Sequence, residues 1–370
     1  MKIFIASVSA GAGHIRAGEA LRKWGEKIPE VSLIEHQDVL KFSPSAYKEF
    51  YAGSYLKMAD SIPELWGYIF WHSDRKKTDI GEKCLRLVNR LNTKKFRDYV
   101  LDKNFDITIA THFLPAEVLL RKKRQNKYNG KIYVVVTDYG PHRFWVMEDV
   151  DGYFAATQQV KEELVLRGLE KDKIFVTGIP VMPEFSEKID RKALYSELGF
   201  SENIPILLVM SIGHGSGGTS KSVAAALSFN RDIQVIFICG RNTKMQKELE
   251  KIKFSHNVKP RFFGFVNDVW KYMEIADILL TKPGGLTVSE ALAKNLPMII
   301  INPVPGQEEL NSDFLLENGL AVKATSIYSL KIKLRRLLSD KNLLNKMKSA
   351  AKLQASPFAG RDIISKVLEK

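Results

Sequence analysis

Short apolar runs, each ending at a glycine or a polar residue and followed by a helix-forming stretch, recur along this chain. The first, Lys2-Ile3-Phe4-Ile5-Ala6-Ser7-Val8, stops at Ser9-Ala10-Gly11-Ala12-Gly13-His14, and helix formers follow from Ala17 to Trp24. Strand, glycine loop and helix in that order open a doubly wound α/β domain. The runs Asp106–His112 and Lys131–Asp138 are continuous rather than alternating, as parallel strands buried on both faces require. Gly152–Thr157 and Lys173–Gly178 read as further strands, with a helix from Val160 to Leu169 between them.

The rhythm breaks at Ile179-Pro180-Val181-Met182-Pro183, which places a linker near residues 180–200, and then restarts. Pro205–Ser211 leads into Ile212-Gly213-His214-Gly215-Ser216-Gly217-Gly218 and a helix from Lys221. Strands follow at Gln234–Cys239, Lys259–Phe263, Asp277–Thr281 and Pro297–Asn302. The expected fold class is α/β, with two Rossmann-like doubly wound domains over residues 1–185 and 186–355. Residues 356–370 add a short amphipathic helix from Ala359 to Lys370, after Pro357.

Composition narrows the class. A chain of 370 residues is long for one core and sufficient for two domains. With 45% hydrophobic and 26% charged residues, wholesale disorder is excluded. Cys84 and Cys239 lie far apart and form no CxxC pair, which argues against a disulfide framework and for a reducing, cytoplasmic setting. The N-terminus lacks the apolar length and cleavage pattern of a signal peptide. The longest aliphatic runs, such as Met298–Ile301, fall far short of the roughly 20 residues that span a bilayer. The expectation is a soluble protein, at most peripheral to a membrane.

Charge changes that picture. The net charge is +14, and residues 75–131 hold 16 Lys/Arg against 6 Asp/Glu while residues 319–370 hold 12 against 3. Such runs suit a solvated helix face, a nucleic acid or anionic lipid headgroups. Just before the first of them, residues 42–72 crowd Phe42, Tyr47, Phe50, Tyr51, Tyr55, Met58, Trp66, Tyr68, Phe70 and Trp71. That cluster is either core or an aromatic lip for a membrane interface or lipid channel.

Four segments could carry chemistry. Gly11-Ala12-Gly13-His14 lets backbone approach a ligand at a helix start. It is no dinucleotide fingerprint, because Arg16 stands where the third glycine belongs, and no GK[ST] follows to make a P-loop. An imidazole at His14 suits proton abstraction from a hydroxyl at neutral pH. The loop with Gly213, His214 and Gly215 supplies backbone donors for anionic oxygens. Pro283-Gly284-Gly285 opens a helix whose bare first amides and dipole favour a diphosphate, with Glu290 placed to accept hydrogen bonds from ribose hydroxyls. Pro303-Val304-Pro305-Gly306 is a rigid turn presenting Gln307, Glu308 and Asn311, good partners for sugar hydroxyls.

In this order these segments resemble glycosyltransferase family 28. Its members include the lipid II N-acetylglucosaminyltransferases, the plant monogalactosyldiacylglycerol synthases and the bacterial diacylglycerol glucosyltransferases. Thr281-Lys282-Pro283-Gly284-Gly285-Leu286-Thr287 and Pro303-Val304-Pro305-Gly306-Gln307-Glu308 look like the donor signature of the diacylglycerol branch. Thr137-Asp138-Tyr139, Phe144-Trp145-Val146 and Val150–Thr157 look like its acceptor side.

The resemblance implies a GT-B fold, with two domains facing across a cleft and the terminal helix crossing back to the N-terminal one. It implies inversion at the anomeric carbon with no metal or other cofactor, and the sequence holds no Asp-x-Asp motif. His14 would be the general base. Gly213, His214, Gly215, Gly284 and Gly285 would hold the diphosphate. The backbone at Gly264, Phe265 and Val266 would meet uracil, and Glu290 the ribose. Gln307, with Glu308 or Asn311, would hold the hexose, and Gly13, Asp138 and Trp145 would lie on the acceptor side.

The first loop is less glycine-rich than that of the plant galactolipid synthases, which favours UDP-glucose over UDP-galactose. The leading expectation is transfer of glucose from UDP-glucose to diacylglycerol at the cytoplasmic membrane face, with the basic and aromatic segments docking on anionic lipid. A lipid II-type N-acetylglucosaminyltransferase and a non-catalytic UDP-sugar sensor are the alternatives within the fold. Nucleic-acid binding is disfavoured, since the basic segments show no RRM, KH or zinc-finger pattern.

Overall fold

The structure, a computed structural model, describes residues 1–53, 62–75, 87–210, 223–227 and 232–369. They fall into two units, each organised on a six-stranded parallel sheet.

The first unit comprises Met1–Pro183, Pro305–Gln307 and Ser356–Lys370. Its strands are β1 (Lys2–Ser7), β2 (Leu33–Asp38), β3 (Ile107–Ala110), β4 (Lys131–Val135), β5 (Gly152–Ala155) and β6 (Ile174–Val176), in the spatial order β2-β1-β3-β4-β5-β6. Every pairing is parallel. Ile107–Ala110 and Gly152–Ala155 are buried throughout, as strands covered on both faces must be. The main helices are α1 (Ala12–Gly25), α2 (Pro63–Arg75), α3 (Lys94–Lys103), α4 (Phe113–Lys123) and α5 (Gln158–Leu166).

The second unit comprises Glu184–Val304 and Glu308–Ala355. Its strands are β7 (Ile206–Met210), β8 (Ile233–Ile238), β9 (Val258–Phe263), β10 (Ile278–Thr281), β11 (Met298–Ile301) and β12 (Ala321–Ala324), in the order β12-β11-β10-β7-β8-β9. Around them lie α6 (Arg191–Leu198), α7 (Thr243–Glu250), α8 (Val269–Ile275), α9 (Gly285–Ala293), α10 (Gln307–Glu317), α11 (Ile327–Ser339) and α12 (Lys341–Gln354). Gln307, the first residue of α10, belongs to the first unit.

The closing helix α13 (Ala359–Leu368) also belongs to the first unit. Ile363, Ile364 and Val367 join Ile3, Ile5 and Leu21 in its core. The approach is close: a Cβ on Gly360 would lie 2.2 Å from Trp24, whose indole N–H donates to the Val181 carbonyl at 3.0 Å.

Each strand order reverses once, between β1 and β3 in the first unit and between β7 and β10 in the second. Open α/β sheets bind ligands outside the carboxyl ends of strands at such reversals. His14 follows β1, and the Pro283-Gly284-Gly285 turn follows β10.

The aromatic segment divides between core and surface. Tyr47 and Phe70 are buried, whereas Phe50, Leu65, Tyr68, Ile69 and Trp71 are exposed. Leu65, Tyr68 and Ile69 are spaced to share one face of α2. Arg167 grips Asp74 through both guanidinium nitrogens at 2.9 and 3.0 Å, and the Arg143 amide donates to the same carboxylate at 2.7 Å. These bonds fix the end of α2. Tyr55 and Met58 lie outside the described residues, and so do Cys84 and the helix start at Lys221.

Candidate functional site

In the first unit, the polar residues that end β1, β3 and β4 converge on His14. His14 Nδ1 lies 2.8 Å from the Thr111 carbonyl oxygen. A carbonyl only accepts, so Nδ1 carries the hydrogen and the Nε2 lone pair is left as a base. Thr137 Oγ1 lies 3.0 Å from the same Nδ1. Burial pushes the His14 pKa down to about 4, with the Thr111 bond opposing that shift. The ring is therefore neutral at pH 7.

Behind His14 runs a chain of hydrogen bonds. Thr111 Oγ1 donates to the His14 carbonyl at 3.0 Å. With its hydrogen so committed, Thr111 accepts from Ser7 Oγ at 2.8 Å, and Ser7 in turn accepts from His36 Nε2 at 2.8 Å. His36 Nδ1 lies 3.4 Å from Glu19 Oε2, whose carboxylate is also held by Arg22. Gly18 makes room for this chain, since a Cβ there would stand 2.3 Å from Ser7 Oγ and 2.4 Å from His36 Nε2.

His112 lies beside His14, their ring centroids 4.8 Å apart and the rings nearly perpendicular. Trp145, buried on a turn of 3₁₀ helix, stands 6.3 Å from each. Asp138 is buried after β4 and accepts from Gln307 Nε2 at 2.7 Å, within the same unit. Gly13 sits in the first turn of α1.

In the second unit, α9 begins at Gly285 with Gly284 as its N-cap, a residue with no side chain to cap the first amides. Asn311 Nδ2 donates to the Pro283 carbonyl at 3.0 Å, and Glu308 accepts from the Val304 amide at 2.7 Å. Glu308 Oε1 would stand 3.9 Å from a Cβ on Gly284. Glu308 thus braces the Pro303–Gly306 turn that presents it, whereas Asn311 braces the Pro283-Gly284-Gly285 turn. Glu290 is buried on α9. Gly264, Phe265 and Val266 follow the edge strand β9, with Phe265 exposed under the Arg241 guanidinium at 5.4 Å. Gly213, His214 and Gly215 lie outside the described residues.

Sequence reasoning singled out His14 but not Ser7, Gly18, His36, Thr111 or His112. The available signal was polar residues closing buried strands at a strand-order reversal. Among the described residues, no group of three His, Cys, Asp or Glu side chains could hold a metal ion, and no helix is long and apolar enough to cross a membrane.

Residues 14–181 match the monogalactosyldiacylglycerol (MGDG) synthase family, and residues 219–354 match the glycosyl transferases group 1 family. A processive diacylglycerol beta-glucosyltransferase of Bacillus pumilus is 30% identical over 377 residues, covering 100% of this chain and 95% of the relative. The Bacillus licheniformis protein of the same name is 28% identical, covering 100% and 94%. Among solved structures, Acinetobacter baumannii MurG superposes with a TM-score of 0.65 at 13% identity, covering 100% of this chain and 99% of its own. A Neisseria meningitidis UDP-GlcNAc 2-epimerase bound to UDP-GlcNAc gives 0.64 at 12%, covering 100% of both. At such low identity these two speak to the fold alone, which is GT-B. With a 30% identical relative matched over the whole of this chain, the chain belongs to glycosyltransferase family 28, on the branch of the MGDG synthases and processive diacylglycerol beta-glucosyltransferases.

Proposed function

We propose that this protein transfers glucose from UDP-glucose to the free hydroxyl of diacylglycerol, inverting the anomeric carbon to give a β-glucosyl lipid. The His14 ring carries this reading. It is neutral, its Nδ1–H is committed to Thr111, and its Nε2 is left as a base. The full-length match to relatives named for diacylglycerol glucosylation supports the choice of donor and acceptor.

His14 Nε2 takes the proton of the acceptor hydroxyl as that oxygen bonds to the anomeric carbon, and the bond from that carbon to the UDP oxygen breaks. Negative charge grows on the diphosphate, where the backbone amides at the glycine start of α9 and the helix dipole favour it. The loop containing Gly213, His214 and Gly215 is assigned to the same diphosphate. Glu290 is assigned to ribose, Gly264–Val266 to uracil, and Gln307, Glu308 and Asn311 to the hexose. Gly13, Asp138 and Trp145 are assigned to the acceptor side.

No step in this scheme needs a metal, so transfer should persist in excess chelator. The exposed face of α2 and the basic run beside it are assigned to anionic lipid at the inner face of the cell membrane.

The test is the anomeric configuration of the product formed from UDP-glucose and dioleoylglycerol, read from the anomeric proton coupling. A β-glucoside is expected. An α-glucoside, or no glycolipid, would overturn the proposal.

A further inference from the structure

His112 has no role in the scheme above, and its ring chemistry is fixed by the fold. It is the N-cap of α4, where its Nδ1 accepts from the Leu114 amide at 3.1 Å. A nitrogen that accepts carries no hydrogen, so the hydrogen of the neutral ring sits on Nε2. Protonating Nδ1 would cost the cap, and burial together with the neighbouring His14 holds the His112 pKa well below the ordinary histidine range. His112 therefore neither competes for the proton that His14 takes up nor repels the imidazolium that forms there.

What His112 does offer is an N–H donor. The residue is 4% exposed and walled by Phe113, Trp145 and Tyr51. Among the described residues no group takes up the Nε2 hydrogen. A ligand oxygen that reaches the ring can accept that hydrogen.

A base and a donor on neighbouring rings complement a molecule with a hydroxyl and a carbonyl oxygen a few bonds apart. We propose that His112 Nε2–H donates to an ester carbonyl oxygen of the diacylglycerol whose hydroxyl faces His14, which makes His112 an acceptor-binding residue. This rests on the functional reading above, since it takes the acceptor to be an acyl glycerol.

The capping and donor roles can be separated. His112→Ser keeps an N-cap oxygen but has no Nε2–H, whereas His112→Ala loses both. The decisive quantity is the ratio of kcat/KM for 1,2-diacylglycerol to that for the ether-linked 1,2-dialkylglycerol, which lacks the carbonyls. The wild-type protein should prefer the ester by on the order of tenfold, the worth of one hydrogen bond. His112→Ser should melt close to wild type and bind UDP equally well, yet show a ratio near one. His112→Ala should show the same ratio and melt lower. A His112→Ser protein that keeps the wild-type ratio, or a wild type with no ester preference, would overturn the proposal. Failure of the wild-type protein to glucosylate either lipid would instead overturn the functional reading, and the two failures are thereby distinct.

Discussion

At the scale of single residues, the central fact is a histidine held neutral and oriented by backbone. The pKa of His14 falls from an ordinary 6.5 to about 4 on folding. Between those values the unfolded chain binds more protons than the folded one. The stability from burying neutral His14 is therefore complete above pH 6.5 and is lost as pH falls toward 4. Catalysis should follow the folded value. We expect kcat/KM to stay level from about pH 7.5 to about pH 5.5 with no inflection near 6.5, and steady-state rates across that range would show it. His14→Ala should lower kcat by roughly 10² to 10⁴ fold while UDP affinity, read by calorimetry, stays unchanged. Undiminished transfer would remove His14 from the mechanism. The glycine loop makes His14 visible in the sequence. Its tautomer is not visible there, because Thr111 is 97 residues away and the Ser7–Thr111 pair spans 104.

At the scale of elements, α1 lies so close to β1 and β2 that Gly18 has no room for a methyl group. Gly18→Ala must push apart the Ser7–His36 bond or the helix itself, at about 1–3 kcal/mol by analogy with overpacked cores. Urea denaturation measures this, and wild-type stability in that variant would contradict the account. Nothing local in Ala17-Gly18-Glu19 announces the constraint, since it comes from His36 on a neighbouring strand. The buried strands, by contrast, are legible as continuous apolar runs. The strands that escaped the sequence pattern are β2, Leu-Ile-Glu-His-Gln-Asp, and β12, Ala-Val-Lys-Ala, and both are sheet edges. An edge strand is covered less and can carry polar residues, so its run is interrupted. The opposite edge β9 holds Pro260, which an edge tolerates because no neighbour needs its missing N–H.

At the scale of the molecule, two sheets with reversed strand orders each put conspicuous sequence motifs at the point of reversal. That placement turns scattered glycines into candidate ligand sites. The excess positive charge was legible as composition, but its partner was not, because a charge run alone does not choose one. The exposed Leu65, Tyr68, Ile69 and Trp71 on α2 are the residues that the proposed docking on lipid would use. Leu65→Glu with Tyr68→Glu should weaken sedimentation with vesicles containing phosphatidylglycerol, and added salt should weaken wild-type binding as well. Equal sedimentation of the variant would contradict that role. The central claim, glucose transfer to diacylglycerol, is tested most directly by offering radiolabelled UDP-glucose or UDP-N-acetylglucosamine with either diacylglycerol or the lipid II precursor and finding which lipid carries label. The account predicts label from UDP-glucose on diacylglycerol; label confined to the lipid II precursor would contradict it.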